Sequence, residues 1–187
     1  MSQTSRALVV YESMFGNTFK VAAAIRDGLA GVVDTELVRA DRAPAAIPAD
    51  VCLLVVGGPT HAFTMSRRTT RQDATKQGDV MMPAEAGIRE WLATLERRTT
   101  PTVAATFDTR ITKVRRLPGS AARSAAKVLK RLDFRMLAAP NSFFVSDTTG
   151  PLDDGELERA RQWGEELARE LAPVLSSGRR WGTRRSA

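Results

Sequence analysis

Cysteine and histidine are nearly absent from this sequence, with one residue of each in 187. A single cysteine, Cys52, excludes an internal disulfide, and its apolar neighbours indicate a buried core residue rather than a reactive thiol. We therefore expect a reducing compartment, the cytoplasm. The single histidine, His61, has no cysteine, histidine or carboxylate beside it at metal-ligand spacing, which argues against a metal site.

Long hydrophobic runs are also missing. No apolar run approaches the ~20 residues that a membrane-spanning helix needs, so we expect no membrane span. Residues 1–6 are followed by about five apolar residues, too few for a signal peptide. With 43% hydrophobic and 26% charged residues the composition is that of a globular protein. Length and pattern predict one α/β domain over residues 1–175 and a basic tail over 176–187.

Two common nucleotide-binding motifs do not occur in the chain. There is no Gly-Lys-Ser/Thr sequence, which argues against a nucleoside triphosphatase, and no Gly-x-Gly-x-x-Gly sequence, which argues against a dinucleotide-binding fingerprint.

Acidic residues are scarce in two stretches of a chain whose net charge is +7. The tail carries four arginines and no acid, and residues 107–131 carry eight basic residues against Asp108 alone. This imbalance favours acidic partners or anionic ligands, with a plain solvated surface as the alternative. Four arginines and Trp181 are weak grounds for nucleic acid or an anionic membrane, so we expect no nucleic-acid partner.

What is present is an alternation of strand and helix patterns, which predicts a parallel sheet covered by helices on both faces. Strands are predicted at 7–11, 33–38, 51–56, 102–107 and 134–145, the last interrupted near Pro140. The apolar run at 51–56 is typical of a central strand, and the alternating 33–38 of an edge strand. Helices are predicted after 18, around 88–95, around 120–132 and over 157–175.

The turn after the first strand is small and polar and leads directly into a helix. Backbone N–H groups there have no helical partner and lie at the positive end of the helix dipole. A ligand phosphate satisfies both conditions, and Gly16 allows a sharp turn close to it. The hydroxyls of Ser13 and Thr18 and the Asn17 amide add neutral donors. An ordinary capped strand–helix turn is the alternative.

This turn, Ser13-Met14-Phe15-Gly16-Asn17-Thr18, resembles the phosphate loop of flavodoxins, roughly Ser/Thr-x-Thr-Gly-x-Thr. Phe15 stands where those proteins usually carry Thr. A second resemblance follows the third strand, where Gly57 to Phe63 is similar to the Gly-x-Pro-Thr-Tyr/His loop that lines the flavin ring. A third follows the fourth strand, at Asp108-Thr109-Arg110, where flavodoxin-like proteins place their third flavin loop.

The resemblance implies a flavodoxin-like, doubly wound five-stranded parallel sheet of order 2-1-3-4-5, with the site at the carboxyl ends of strands one, three and four. It implies flavin mononucleotide (FMN) as the cofactor. The implied cofactor-binding residues are Ser13, Met14, Phe15, Gly16, Asn17, Thr18, Pro59, Thr60, His61, Phe63, Thr106, Phe107, Asp108, Thr109 and Arg110.

Aromatic residues are few near this site. Flavodoxins often stack a Trp and a Tyr on the ring, whereas the only tyrosine here, Tyr11, lies in the first strand. We expect Phe63 or Phe107 to flank the ring, with Phe15 also at hand. For His61, ring contact or loop structure is favoured over a role as general acid or base.

Residues 64–84 form a polar connection longer than usual, which predicts a lid or a homodimer contact, or else a plain surface loop. The leading function is electron transfer through non-covalent FMN, and the expected partner is an acidic redox protein. One alternative is an FMN-dependent NAD(P)H or quinone-type reductase, which the long connection would favour. The other is a binding module that kept the fold and lost the cofactor, since fold alone does not fix function.

Overall fold

The structure of the protein is a computed structural model. It describes residues 5–97 and 101–182, and side chains as far as residue 176. The strands are β1 Arg6–Tyr11, β2 Asp34–Arg39, β3 Val51–His61, β4 Thr64–Met65, β5 Val103–Ile111, β6 Arg135–Met136 and β7 Asn141–Val145. The helices are α1 Asn17–Leu29, α2 Arg68–Thr75, α3 Ile88–Thr94, α4 Ala121–Arg131 and α5 Glu156–Gly182. Short 3-10 turns lie at Ala40–Arg42 and Thr112–Val114.

The sheet has the order β2-β1-β3-β5, with β6 and β7 one after the other along the outer edge of β5. β6 pairs with the beginning of β5 and β7 with its end, so the predicted fifth strand is one strand broken at 137–140. These pairings are all parallel, and only β4 runs antiparallel, against the end of β3. The predicted fold class and strand order are confirmed.

The register brings the carboxyl ends of the central strands to one edge of the sheet. Tyr11 lies beside Gly57, and Gly57 lies beside Phe107. The chain leaving β1, β3 and β5 therefore converges at the point where the strand order reverses, which is where open sheets of this kind bind ligands.

Two apolar layers, one on each face, hold the helices to the sheet. Because side chains alternate along a strand, β1 buries Ala7 and Val9 under α1 and α5, and Leu8 and Val10 under α3 and α4. An edge-to-face aromatic cluster fills the first layer, with ring centroids 6.1–6.4 Å apart. Its members are Phe107, Phe143 and Trp163.

Three elements differ from the sequence prediction. β5 continues to Ile111, so positions 108–111, expected in a loop, belong to a strand. The 64–84 connection contains β4 and α2. Helix α5 runs on to Gly182, into the stretch predicted as the tail, whose arginine side chains lie outside the described residues. Within 5–97 and 101–182, no helix has both the length and the apolar character to cross a membrane.

Candidate ligand-binding cleft

An open cleft of about 460 Å³, surrounding solvent included, lies at the carboxyl edge of the sheet. Its walls come from the 13–18 turn, which we call the phosphate loop after the flavodoxin loop that it resembles, the end of β3, the end of β5 and the turn after β7. The lining residues are Ser13, Met14, Phe15, Asn17, Thr18, Pro59, Thr60, His61, Thr109, Arg110, Ile111, Val145 and Thr148. Most of the residues predicted from sequence are thus gathered around one cleft.

The phosphate loop turns through Gly16, whose φ of 87° is a left-handed conformation that glycine adopts readily. The Ser13 hydroxyl accepts from the N–H of Phe19 at 3.2 Å, and the N–H of Lys20 donates to the Gly16 carbonyl at 3.0 Å. These two bonds close the first turn of α1 and fix the loop against the helix.

Five successive backbone N–H groups, those of residues 14–18, donate to no acceptor in the described part of the chain. They stand at the N-terminus of α1, and four of the five residues line the cleft. A run of free N–H groups at the positive end of a helix dipole forms a cradle for an anion. The Ser13, Asn17 and Thr18 side chains already have hydrogen-bond partners within the protein. The free donors of this cradle are therefore backbone N–H groups.

Thr18 and Asn17 connect the phosphate loop to the other walls of the cleft. The Thr18 and Thr109 hydroxyl oxygens are 2.7 Å apart, which ties the loop to β5. The Asn17 side-chain amide donates to the Thr149 carbonyl at 3.0 Å, which ties the loop to the turn after β7. The phosphate loop is therefore linked by hydrogen bonds to β5 and to the turn after β7.

The second wall ends in a tight hairpin between β3 and β4. Both loop residues have positive φ, 46° at Ala62 and 63° at Phe63, an uncommon conformation for residues other than glycine. The Thr60 hydroxyl accepts from the N–H of Ala121 at 2.8 Å. Burial and the nearby Arg71 guanidinium lower the pKa of His61, so its imidazole is neutral at pH 7. Phe63 is 45% exposed and lies outside the lining.

The structure corrects the expectation that Phe107 flanks a flavin ring. Its side chain is fully buried in the aromatic cluster, and a Cβ at Gly57 would lie 2.0 Å from its ring. Thr106 and Asp108 are equally buried and also lie outside the lining. The Asp108 carboxylate accepts from the N–H of Ala122 at 2.9 Å and so caps α4. Burial raises the pKa of Asp108.

Arg110 is a buried cation that lines the cleft and is 6% exposed. Its terminal nitrogens donate to the carbonyls of Val114 at 2.6 Å, Leu117 at 3.2 Å and Gly119 at 3.3 Å. The basic loop after β5 is therefore wrapped around one guanidinium. The Nε of Arg110 has no acceptor among the residues described.

Sequence reasoning missed a buried polar cluster directly behind the phosphate loop. The Glu12 carboxylate accepts from the Ser66 hydroxyl and, at 2.9 Å, from the N–H of Ile88. Arg71, fully buried, donates to the Ser66 hydroxyl at 2.7 Å and to the Ala84 carbonyl at 2.8 Å. Its other terminal nitrogen is 2.9 Å from the Glu90 carboxylate, a close ion pair without hydrogen-bond alignment.

The position of Glu12 was the one available signal for this cluster, because an acid directly after an apolar strand is unusual. Burial raises the pKa of Glu12, and bonds from Ser66 and Ile88 together with the charge of Arg71 oppose that rise. Arg71 is one of many arginines in the chain, and nothing in the sequence distinguishes it. Its burial depends on contacts between segments far apart in the chain.

The 78–84 segment covers the outer side of the phosphate loop. The N–H of Met81 donates to the Met14 carbonyl at 2.8 Å, and Arg39 donates to the Met81 carbonyl at 2.6 Å. The N–H of Ser13 donates to the Met82 sulfur at 3.3 Å. The long connection is thus bonded to the loop at Met81 and Met82. A group of three or more metal-ligating side chains does not occur in residues 5–97 and 101–182.

Comparison with known proteins gives matches at the level of structure. No family model matches the chain, and the search of curated proteins finds no match. A flavodoxin from Streptococcus pneumonia TIGR4 superposes with a TM-score of 0.62 at 18% identity, covering 89% of this chain and 99% of that one. Oxidised Flavodoxin 2 from Bacillus cereus gives 0.62 at 16% identity, with the same coverages.

A flavodoxin from the domain Archaea superposes with a TM-score of 0.58 at 16% identity, covering 89% of this chain and 98% of that one. Together with the strand order, these likenesses show that the chain has the flavodoxin-like fold. It is an α/β fold in which a parallel sheet is covered by helices on both faces.

Proposed function

We propose that this protein binds FMN non-covalently in the cleft and transfers electrons through it. The observation that carries the proposal is the run of five free backbone N–H groups at residues 14–18. A phosphate monoester satisfies several such donors at once, and no lysine is needed because the helix N-terminus supplies the positive potential. The solved structures similar to this chain include several flavodoxins, which supports the same cofactor.

In this proposal the phosphate group lies on the loop, with the Ser13 and Thr18 hydroxyls beside the backbone donors. The ends of β3 and β5 hold the rest of the cofactor through Pro59, Thr60, His61 and Thr109. Bound FMN would supply one- and two-electron redox chemistry, and the chain would set its orientation and potential.

The chain's own residues contribute charge and hydrogen bonds rather than acid–base catalysis. Arg110 keeps a permanent positive charge at the wall of the cleft, since a guanidinium does not deprotonate in proteins. His61 is neutral at pH 7, and it therefore offers one donor and one acceptor without charge. This combination favours electron transfer, with the positive charge of Arg110 stabilising an added electron.

Titration of the purified protein with FMN, followed by quenching of flavin fluorescence, tests the proposal. Riboflavin, which has the same ring and no phosphate, is the matched control ligand. We expect FMN to bind more tightly than riboflavin because the cradle is built for the phosphate. Equal affinities would remove the phosphate assignment, and failure to bind either ligand would favour a binding module without cofactor.

The same preparation separates a carrier from a reductase. NADPH or NADH is added to the FMN-loaded protein, and bleaching of the flavin absorbance is followed in time. A carrier is bleached slowly, whereas rapid bleaching would favour the reductase.

A further inference from the structure

The hairpin tip after β3 and the loop after β5 meet beside the cleft. A Cβ at Gly119 would lie 2.7 Å from the Phe63 carbonyl oxygen, so the two segments are in direct contact. Neither segment contains an acid: none occurs in 58–72 or in 109–132. We define the basic rim as five exposed residues of these segments. They are Phe63, Lys113, Arg115, Arg116 and Leu117.

The three cations of the basic rim are free to meet a partner. None forms an ion pair with a described carboxylate. Some exposed cations elsewhere are paired, as Arg161 is with both Glu158 and Glu165. A cluster of unpaired like charges repels itself, and an acidic surface placed against it relieves that repulsion.

Two large apolar side chains accompany these charges. Phe63 is 45% and Leu117 is 46% exposed, and they are two of the five large apolar residues this exposed in the described chain. Apolar contacts bordered by charged residues are the usual anatomy of a protein–protein interface. A nucleic-acid backbone would engage the cations alone.

The rim is held in one shape before any partner arrives. Arg110 binds three carbonyls of the 112–119 loop from inside, which turns the side chains of the rim outward. The hairpin tip is fixed by pairing of His61 with Thr64 and by the close contact with Gly119. A preorganised surface loses little conformational entropy on binding.

We infer that the basic rim is the docking surface for an acidic protein whose acidic groups surround an apolar contact. The inference rests on the proposed function, because the rim borders the cleft and a partner docked there stands close to the bound cofactor. Complementary charge of this kind steers encounter and makes association weaken as salt rises.

A plant-type [2Fe–2S] ferredoxin serves as the probe, since it is an acidic electron-transfer protein. Its Kd for the protein is measured by isothermal titration at low salt and again at about 0.15 M salt, where the Debye length is about 8 Å. Three variants are compared, each first shown by circular dichroism to fold. R115E/R116E reverses two charges of the rim, L117Q removes an apolar contact, and K130E/R131E makes the same charge change at the far end of α4.

We expect roughly tenfold weaker binding for R115E/R116E and a smaller loss for L117Q, from the size of interface charge effects. At about 0.15 M salt, K130E/R131E should bind within about twofold of the wild type, because exposed charges beyond a Debye length are screened. Equal weakening by the two double variants would overturn the inference, since net charge alone would then explain binding. So would the absence of ferredoxin binding, or tighter binding of phosphatidylserine vesicles or of a single-stranded oligonucleotide.

Each titration is made with FMN-loaded and with FMN-free protein, so that two failures are distinguishable. FMN uptake without ferredoxin binding would overturn the docking surface alone. Ferredoxin binding through the rim by a chain that takes up no FMN would overturn the proposed function and retain the surface.

Discussion

At the scale of single residues, Thr18 connects two walls of the cleft and also lies in the anion cradle. We predict that Thr18→Val weakens FMN binding by about 1–3 kcal/mol, the usual loss when a charged group loses a hydrogen bond. Thr18→Ser keeps the hydroxyl and should bind FMN nearly as the wild type does. Flavin-fluorescence titration of both variants checks this, and a Thr18→Val affinity equal to that of the wild type would contradict it.

Arg110 differs from the other cations of its loop in being buried. A charge in a poorly solvated site acts more strongly than an exposed one, so Arg110 and not the rim should set the potential of bound FMN. We predict that Arg110→Gln makes the midpoint potential more negative by about 30–60 mV, corresponding to a ten- to hundredfold change in a two-electron equilibrium.

The matched control for Arg110 is Arg116→Gln, which removes an exposed charge from the same loop. Its potential should stay close to that of the wild type and approach it further as salt rises. Reductive titration with a reference dye measures all three proteins. Equal shifts of the midpoint potential in the two variants would show that burial gives Arg110 no larger effect on the flavin than an exposed arginine has.

At the scale of elements, the buried Glu12–Ser66–Arg71 cluster joins β1 to the 64–95 segment. Arg71→Met removes the buried cation whose charge favours the ionised form of the buried Glu12 carboxylate, and leaving a buried charge uncompensated costs about 3–5 kcal/mol. We predict a loss of that order in urea unfolding. Glu12→Gln/Arg71→Met should recover part of the loss because the buried charge has gone. A double variant no more stable than Arg71→Met would refute this account.

The crossing of α1 and α5 depends on two glycines. A Cβ at Gly28 would lie 2.2 Å from the Arg161 carbonyl oxygen, and one at Gly164 would lie 2.4 Å from that of Ile25. We predict that Gly164→Ala lowers the free energy of unfolding by about 1–3 kcal/mol, the usual cost of overpacking. Gly31→Ala is the control, since nothing lies within 4 Å of its Cβ position. Thermal and urea unfolding measure both, and equal stabilities would contradict the close crossing.

At the scale of the whole molecule, two buried carboxyl groups shape the dependence of stability on pH. Burial raises the pKa of Glu12 and of Asp108 above their ordinary values of 4.5 and 3.8. The folded state then keeps protons that the unfolded state has already lost. Their contribution is therefore most favourable below those ordinary values and declines as pH rises toward the folded pKa.

We predict that the stability of the wild type relative to Glu12→Gln falls as pH rises from about 4.5 toward the folded pKa of Glu12, by up to about 1.4 kcal/mol per pH unit. Asp41 supplies the opposite case, since its bond to Arg39 lowers its pKa. Relative to Asp41→Asn, the wild type should gain stability as pH rises from acid values. Urea unfolding between about pH 3.5 and 8 measures both. A flat difference for Glu12→Gln would contradict the prediction.

The sequence by itself predicted the alternation of strands and helices, and the resemblance of three of its loops to those of flavodoxins predicted the strand order and the edge of the sheet where the cleft lies. An uninterrupted apolar run marked β3 as a central strand, alternation marked β2 as an edge strand, and the small polar turn at 13–18 marked the candidate anion cradle. These features depend on residues close together in the chain, and hydrophobic periodicity reports such local structure directly. Thirteen residues line the cleft, and those from the three predicted loops were named in advance, apart from Ile111.

Only the tertiary structure decided which of the predicted residues face the cleft. Phe107, expected at the ring, is buried in the core because β5 extends further than its apolar run and alternation turns that side chain toward Trp163. Arg71 and Arg110 are buried while Arg115 and Arg116 are exposed. All four are arginines, and nothing in the sequence distinguishes the buried pair from the exposed pair. The acceptors of Arg71 and Arg110 stand at no regular spacing from them in the sequence, and only the folded chain brings those carbonyls and hydroxyls around a guanidinium.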